Sequence, residues 1–137
     1  MIQIIKAITD VLSSEFNIPI YSTNTKEVFD KESFFIEVAS DSFGLLATDF
    51  LETRLDIRIT YFPTDSKHIK DVYKMRSDLM GLFFDGLVVN NQIIKYESDI
   101  EFTITANNIL EMLIPLHLVN EVIETDDGEA ITELIYR

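Results

Sequence analysis

Two runs with a side-chain period of two constrain this chain more than any other feature in it. Phe34, Ile36 and Val38 alternate with Phe35, Glu37 and Ala39, and Leu55, Ile57, Ile59 and Tyr61 alternate with Asp56, Arg58, Thr60 and Phe62. Successive side chains of a β-strand point to opposite faces, so each run describes a strand with one buried face and one at least partly wet face. Paired antiparallel, the two runs make one apolar surface about 20–25 Å long at about 3.3 Å per residue. A surface of that size has to be covered by something.

Two segments have the period to cover it. Across residues 2–16, Ile4 or Ile5, Ile8, Val11 or Leu12, and Glu15 or Phe16 recur at helical spacing, with Lys6, Thr9, Asp10 and Ser13 on the other side. Asn17 and Pro19 end that helix, because proline disfavours the α conformation in the residue before it and cannot extend the helix. Residues 66–84 repeat the pattern with Ile69, Val72, Tyr73, Met75 or Arg76, Leu79, Met80, Leu82 and Phe83. Asp65 or Ser66 is placed to cap the free amides of its first turn, and Gly86 is free to adopt the left-handed conformation common just past a helix end.

The other segments are strands and turns. Ile18–Tyr21 predicts a short strand, followed by a polar connection over Ser22–Asp30. Leu87–Val89 and Ile93–Tyr96 flank Asn90-Asn91, a plausible tight turn because Asn tolerates positive φ. Ile100, Phe102, Ile104 and Ala106 alternate cleanly, Asn107-Asn108 turns again, and Leu110 to Val119 alternates once more. Pro115 within that last run argues for an edge strand or a bulge, since it has no N–H to donate. Residues 120–137 read as a C-terminal extension with a turn at Asp126-Asp127-Gly128, and beyond it the stripe fits helix and strand about equally. Between the two central strands, Ser40–Glu52 is either a long twisted hairpin turning near Gly44 or a loop that carries Phe43, Leu45, Leu46 and Phe50. The expected fold is α+β: one domain with an antiparallel or mixed sheet of about five to six strands, covered by the helices at about 2–16 and 66–84.

A domain of 137 residues buries roughly 70 % of the surface its unfolded chain exposes, so the core needs no covalent staple. There is no Cys, which excludes disulfides and thiolate metal sites. No apolar run approaches the length of about 20 residues that spans a bilayer, and the start lacks the features of a secretory signal; the expectation is a soluble protein made in the cytoplasm. The net charge is −13, from 24 acidic and 11 basic residues. Phosphate backbones and anionic membranes are held by clustered positive charge, so neither nucleic acid nor a membrane is an expected partner.

Residues that carry catalysis are missing in the same way. The two histidines, His68 and His117, lie on different predicted elements and have no Cys beside them to complete a metal site. Asp126-Asp127-Gly128-Glu129 lacks the ligand spacing of a calcium loop. Carboxylate pairs such as Asp49 and Glu52 arise by chance in a chain this acidic, and four scattered glycines build no phosphate loop. No catalytic residue, metal or cofactor is expected.

The phrase Ser33-Phe34-Phe35-Ile36-Glu37-Val38, followed by Leu55-Asp56-Ile57-Arg58-Ile59-Thr60-Tyr61-Phe62-Pro63, resembles the paired strands of small phage tail terminator proteins of phages, prophages and tail-like particles of Gram-positive bacteria. The order of elements agrees over most of residues 1–119: helix, strand pair, Phe-Pro exit into a second helix, more strands. The resemblance implies a structural protein of the virion tail, assembled in the host cytoplasm. It implies a homo-oligomer, typically a hexameric ring, that binds the last ring of the tail tube protein, stops polymerisation and offers a joining surface to the head, a sheath or a neck protein. Under that reading Phe43, Leu45, Leu46, Phe50 and Pro115 are the expected contact residues, and the acidic surface lines a channel through which DNA slides. Two further readings stay open, a head-to-tail connector or neck-completion protein and a monomeric acidic binding module or inhibitor.

Overall fold

The computed structural model of the chain describes residues 2–21, 32–47, 49–64, 69–124 and 130–136. Among them the element order is α1 (Ile2–Glu15), β1 (Ile20–Tyr21), β2 (Ser33–Ala47), β3 (Phe50–Phe62), α2 (Ile69–Phe83), β4 (Leu87–Val89), β5 (Gln92–Ile94), β6 (Glu101–Ile104), β7 (Leu110–Glu124) and β8 (Ala130–Tyr136). The expected caps Asp65 and Ser66, the connection Ser22–Asp30 and the turn Asp126-Asp127-Gly128 lie outside the described residues, as does His68.

Both helices form for the reason their spacing gives. Ile4, Ile8 and Leu12 are four apart and stack into one buried stripe on α1, as do Val72, Met75, Leu79 and Phe83 on α2. The Phe16 amide donates the last bond of α1 to the Leu12 carbonyl at 2.9 Å. Pro19, which cannot prolong the helix, instead accepts a bond from the Phe34 amide at 2.9 Å and so launches β1 beside β2. At the end of α2, Gly86 takes φ +103° and donates to the Phe83 carbonyl at 3.2 Å. A Cβ there would sit 2.9 Å from the Ile94 carbonyl oxygen, so glycine alone fits.

The main sheet runs β1-β2-β3-β7-β6, and β8 joins the edge of β7 beyond β6. β1 is parallel to β2; every other neighbour is antiparallel, which makes the sheet mixed, as the sequence allows. The two expected central strands pair antiparallel and share one apolar face, in the register Phe34 with Tyr61, Ile36 with Ile59 and Val38 with Ile57. β4 and β5 form a separate two-stranded sheet. Its turn is Asn90-Asn91, with φ 51° and 65°, the paired positive values of a type I′ hairpin turn. The ambiguous C-terminal segment is strand: β7 continues to Glu124, and β8 pairs back on it from Glu124↔Ala130 to Leu118↔Tyr136.

The core lies between the two helices and one face of this sheet. Phe34, Ile36, Leu55, Ile57, Ile59 and Tyr61 are buried there with the helical stripes and with Leu110, Met112, Ile114 and Leu116 of β7. The Phe34 ring packs between Phe16 and Tyr61, with centroids 5.5 Å from each. Ile100, Phe102 and Ile104, expected in the core, are only half-buried, because β6 is an outer strand paired to β7 alone. Phe102 completes its cover with the Arg76 guanidinium, 4.9 Å above its ring.

Candidate assembly surface

Helix and strand lengths do not match in this fold. The 14 residues of α1 and 15 of α2 span about 21–22 Å at 1.5 Å per residue. The 15 residues of β2, 13 of β3 and 15 of β7 span about 43–50 Å at about 3.3 Å per residue. The helices are thus about half as long as the central strands, and the buried run of β3 stops at Leu55 on the way back toward Phe50. Beyond it the strands continue as a long hairpin whose last pair is Ala47↔Phe50.

A bulge decides what that extension displays. Val38 pairs with Ile57, but Ser40, not Ala39, pairs with Asp56. One extra residue in β2 reverses the parity of every side chain after it. Asp41, Phe43 and Leu45 thereby come opposite Leu55, Thr53 and Leu51, on the same sheet face as Phe34, Ile36 and Ile57. The face is apolar and covered at Leu55, which is 1 % exposed, and apolar and bare at Phe43, 81 % exposed, and Leu45, 74 % exposed. Of the two alternatives the sequence leaves open for Ser40–Glu52, the long hairpin is the one observed, but it closes beyond Ala47 and not near Gly44, which stands within the strand opposite Glu52.

The reverse face of the extension is polar and tied across strands. Arg58 bonds Glu37 at 2.9 Å, and the Ser40 hydroxyl donates to Asp56 at 2.8 Å. Further out, Glu52 accepts from Arg54 and faces His117 Nε2, both at 2.7 Å, while Arg54 Nε donates to Glu97 at 2.7 Å. The Glu97 hydrogen bond and then the Glu52 charge hold the Arg54 guanidinium above its ordinary pKa. Cross-strand pairs of this kind fix register, and here they link β3, β7 and the segment before β6. Sequence reading left His117 without a role; its partner lies two strand positions diagonally across β3–β7, a spacing that becomes visible only once register is known.

The five expected contact residues do not form one patch. Phe43 and Leu45 share the bare apolar face. Phe50, opposite Glu121, lies on the other face with Glu52 and Arg54 and is half-buried. Leu46 falls at the second register shift of β2, between Leu45 and Ala47. Pro115 corrects the expectation of an edge strand or a bulge: β7 has β3 on one side, in unbroken register through Asp56↔Pro115, and both β6 and β8 on the other, and Pro115 is buried. Its carbonyl accepts from the Glu97 amide at 3.0 Å. Because N–H and C=O of one strand residue point to the same side, the missing N–H faces the interval between β6 and β8, and pairing with β3 is undisturbed.

Two tyrosines are locked into the body behind this surface. Tyr61 donates to the Glu32 carboxylate, and burial first, then that carboxylate, pushes its pKa up. Tyr96, in a bridge to Leu116, donates to the Phe83 carbonyl at 2.6 Å, and burial pushes its pKa up to about 12. Both act as hydrogen-bonding posts between layers. Among the described residues no group of three or more His, Asp or Glu side chains is arranged to hold a metal, and no helix is long and apolar enough to cross a membrane.

No curated protein is significantly similar to the chain. A solved structure known only by a sequence identifier aligns with 88 % of this chain and 92 % of its own at 12 % identity, with a TM-score of 0.45, a likeness too low to carry an argument. The family model described as phage tail terminator protein matches residues 3–129, which spans both helices, the whole β2–β3 hairpin and β7. With that match across nearly its whole length, the chain belongs to the phage tail terminator protein family.

Proposed function

We propose that this protein is a structural part of a phage tail that assembles as a ring, six copies by analogy with its family, on the head-proximal end of the tail tube. There it stops addition of further tube subunits and presents the surface to which the head or neck joins. The observation that carries this reading, beside the family match, is the hairpin that outruns its helices and leaves Phe43 and Leu45 bare on a core-type sheet face. A monomeric soluble domain gains nothing from holding such side chains in water, whereas a subunit buries them on assembly. Phe50, half-buried on the opposite face of the same tip, joins the contact from that side, and the side chain of Leu46 lies outside the described residues. Pro115 belongs to the subunit's own interior.

The tube protein is the partner on one side of the ring, and a neck or sheath protein on the other. Recognition is by shape and apolar contact, and no chemistry is required of the protein. The experiment is electron microscopy of tails assembled in cells that lack this chain. Tubes of uncontrolled, excessive length without heads are the expected result; tubes of normal length with heads attached would overturn the proposal.

A further inference from the structure

A second bare apolar patch lies on the β4–β5 hairpin, which packs against α1, β7 and β8. The β4–β5 hairpin buries Leu87, Val89 and Ile94 in the core but leaves the cross-strand pair Val88 and Ile93 54 % and 57 % exposed. Phe84, in the turn that leads from α2 into β4, is 78 % exposed. Three large apolar side chains are thus held outward on an element that is itself firmly seated. Gly86 fits only because it lacks a Cβ, Asn90 donates to Gln3 of α1 at 3.1 Å, and Tyr96 anchors the end of the hairpin to Phe83. A two-stranded ribbon of three-residue strands is marginal by itself, so this amount of anchoring gives a preformed surface.

Resting on the ring reading above, we propose that this patch receives the Phe43–Leu45 hairpin tip of the neighbouring copy. Two different bare patches on one chain are what a head-to-tail contact consumes, each subunit giving one and receiving the other, and such contacts close into a ring when the rotation permits. Charge favours the same pairing. Copies carrying −13 each repel, and the hairpin tip adds exposed Asp41 and Asp49. The β4–β5 corner is one place where bases match acids: Lys6 lines the depression beside Val88 together with Asp10, and exposed Lys95 follows β5 where Asp85 precedes β4. An acidic tip lands there with less repulsion than on the acid-rich remainder.

Because the chain has no Cys, introduced thiols report this contact without background. Leu45→Cys and Ile93→Cys are made singly and together in the full chain at exposed positions, and treated at high protein concentration with a short bis-maleimide. The double variant should give a ladder of covalent oligomers ending at the ring, and an equimolar mixture of the two single variants should give a covalent dimer. Each single variant alone should stay monomeric. Cross-linking of either single variant by itself would mean a two-fold contact and overturn the assignment. So would absence of a ladder, and if tails made with the same double variant still end at normal length, the ring reading survives while this docking does not. As a second measurement, Phe43→Asp and Ile93→Asp proteins, each unable to assemble alone, should form a one-to-one heterodimer of doubled mass when mixed, since each retains the patch the other lacks. A mixture that remains monomeric would contradict the pairing.

Discussion

Leu45 and Leu55 lie on the same face of the same two-stranded ribbon, and their fates on substitution should differ sharply. Leu55 is 1 % exposed beneath the helices, whereas Leu45 and Phe43 are 74 % and 81 % exposed beyond them. Leu55→Ala removes buried methyl groups and leaves a cavity, which costs about 2–5 kcal/mol, a large part of the roughly 5–15 kcal/mol that holds a typical domain. Fully burying a Phe or Leu side chain is worth about 1.5–3 kcal/mol. With only about a quarter of each side chain covered, the double substitution Phe43→Thr with Leu45→Thr should cost no more than about 1.5 kcal/mol in the monomer. Thr keeps the strand propensity, so the comparison isolates burial. Urea unfolding of the three proteins checks this, with midpoints compared at constant slope. If the double variant unfolds as easily as Leu55→Ala, the tip side chains are packed inside their own domain, and the claim that the fold leaves a face for a partner fails.

Four further outcomes follow from particular contacts. Gly86→Ala forces a residue with a Cβ into φ +103°, with that Cβ 2.9 Å from the Ile94 carbonyl; the backbone strain alone costs about 1–3 kcal/mol, and denaturation should show at least that loss. Tyr96 favours its neutral form in the fold, with its pKa pushed up to about 12, while the unfolded side chain ionises near 10, about the model-peptide value. Its contribution is therefore complete below about pH 10 and lost between about pH 10 and 12. Tyr96→Phe should cost about 1 kcal/mol at neutral pH through the bond to Phe83 and remove part, not all, of the alkaline loss seen by thermal melting, since Tyr61 shifts the same way. Glu52→Gln, which discharges the group shared by Arg54 and His117 at partly exposed positions, should change stability by less than about 1 kcal/mol, and a larger loss on unfolding would mean that the ion cluster carries the hairpin. Reversing several surface acids to Lys should make assembled tails retain DNA at low salt in a filter-binding assay; unchanged retention would remove any role of the −13 charge in letting DNA pass.

What could be read from the sequence was what obeys a constant period. Phe34, Ile36 and Val38 against Leu55, Ile57, Ile59 and Tyr61 gave the central pair and its shared face, and the stripes of α1 and α2 gave the cover. Whether that pair extends as a hairpin or gives way to a loop stayed open because the bulge at Ala39 shifts the apolar positions from even to odd numbers, so Phe43 and Leu45 look out of phase with a strand they in fact continue. Pro115 misled for a different reason. A proline forbids one hydrogen bond on one side of a strand, and no local sequence states that this side meets the interval between β6 and β8. The ion cluster of Glu52, Arg54, Glu97 and His117 needs the β3–β7 register, which is set by residues distant along the chain. The bare patch at Val88 and Ile93 was legible as a hairpin, but which of its faces stays in water depends on where α1 and β7 pack.

The most direct measurement is the tail-length distribution, by negative-stain electron microscopy, of particles assembled in cells whose only copy of this protein carries Phe43→Thr with Leu45→Thr. With the variant folded, as urea unfolding establishes, the account predicts over-long tubes without heads, the same as when the protein is missing. Tails of wild-type length with heads attached would show that the uncovered half of the sheet is not where the protein meets its neighbours.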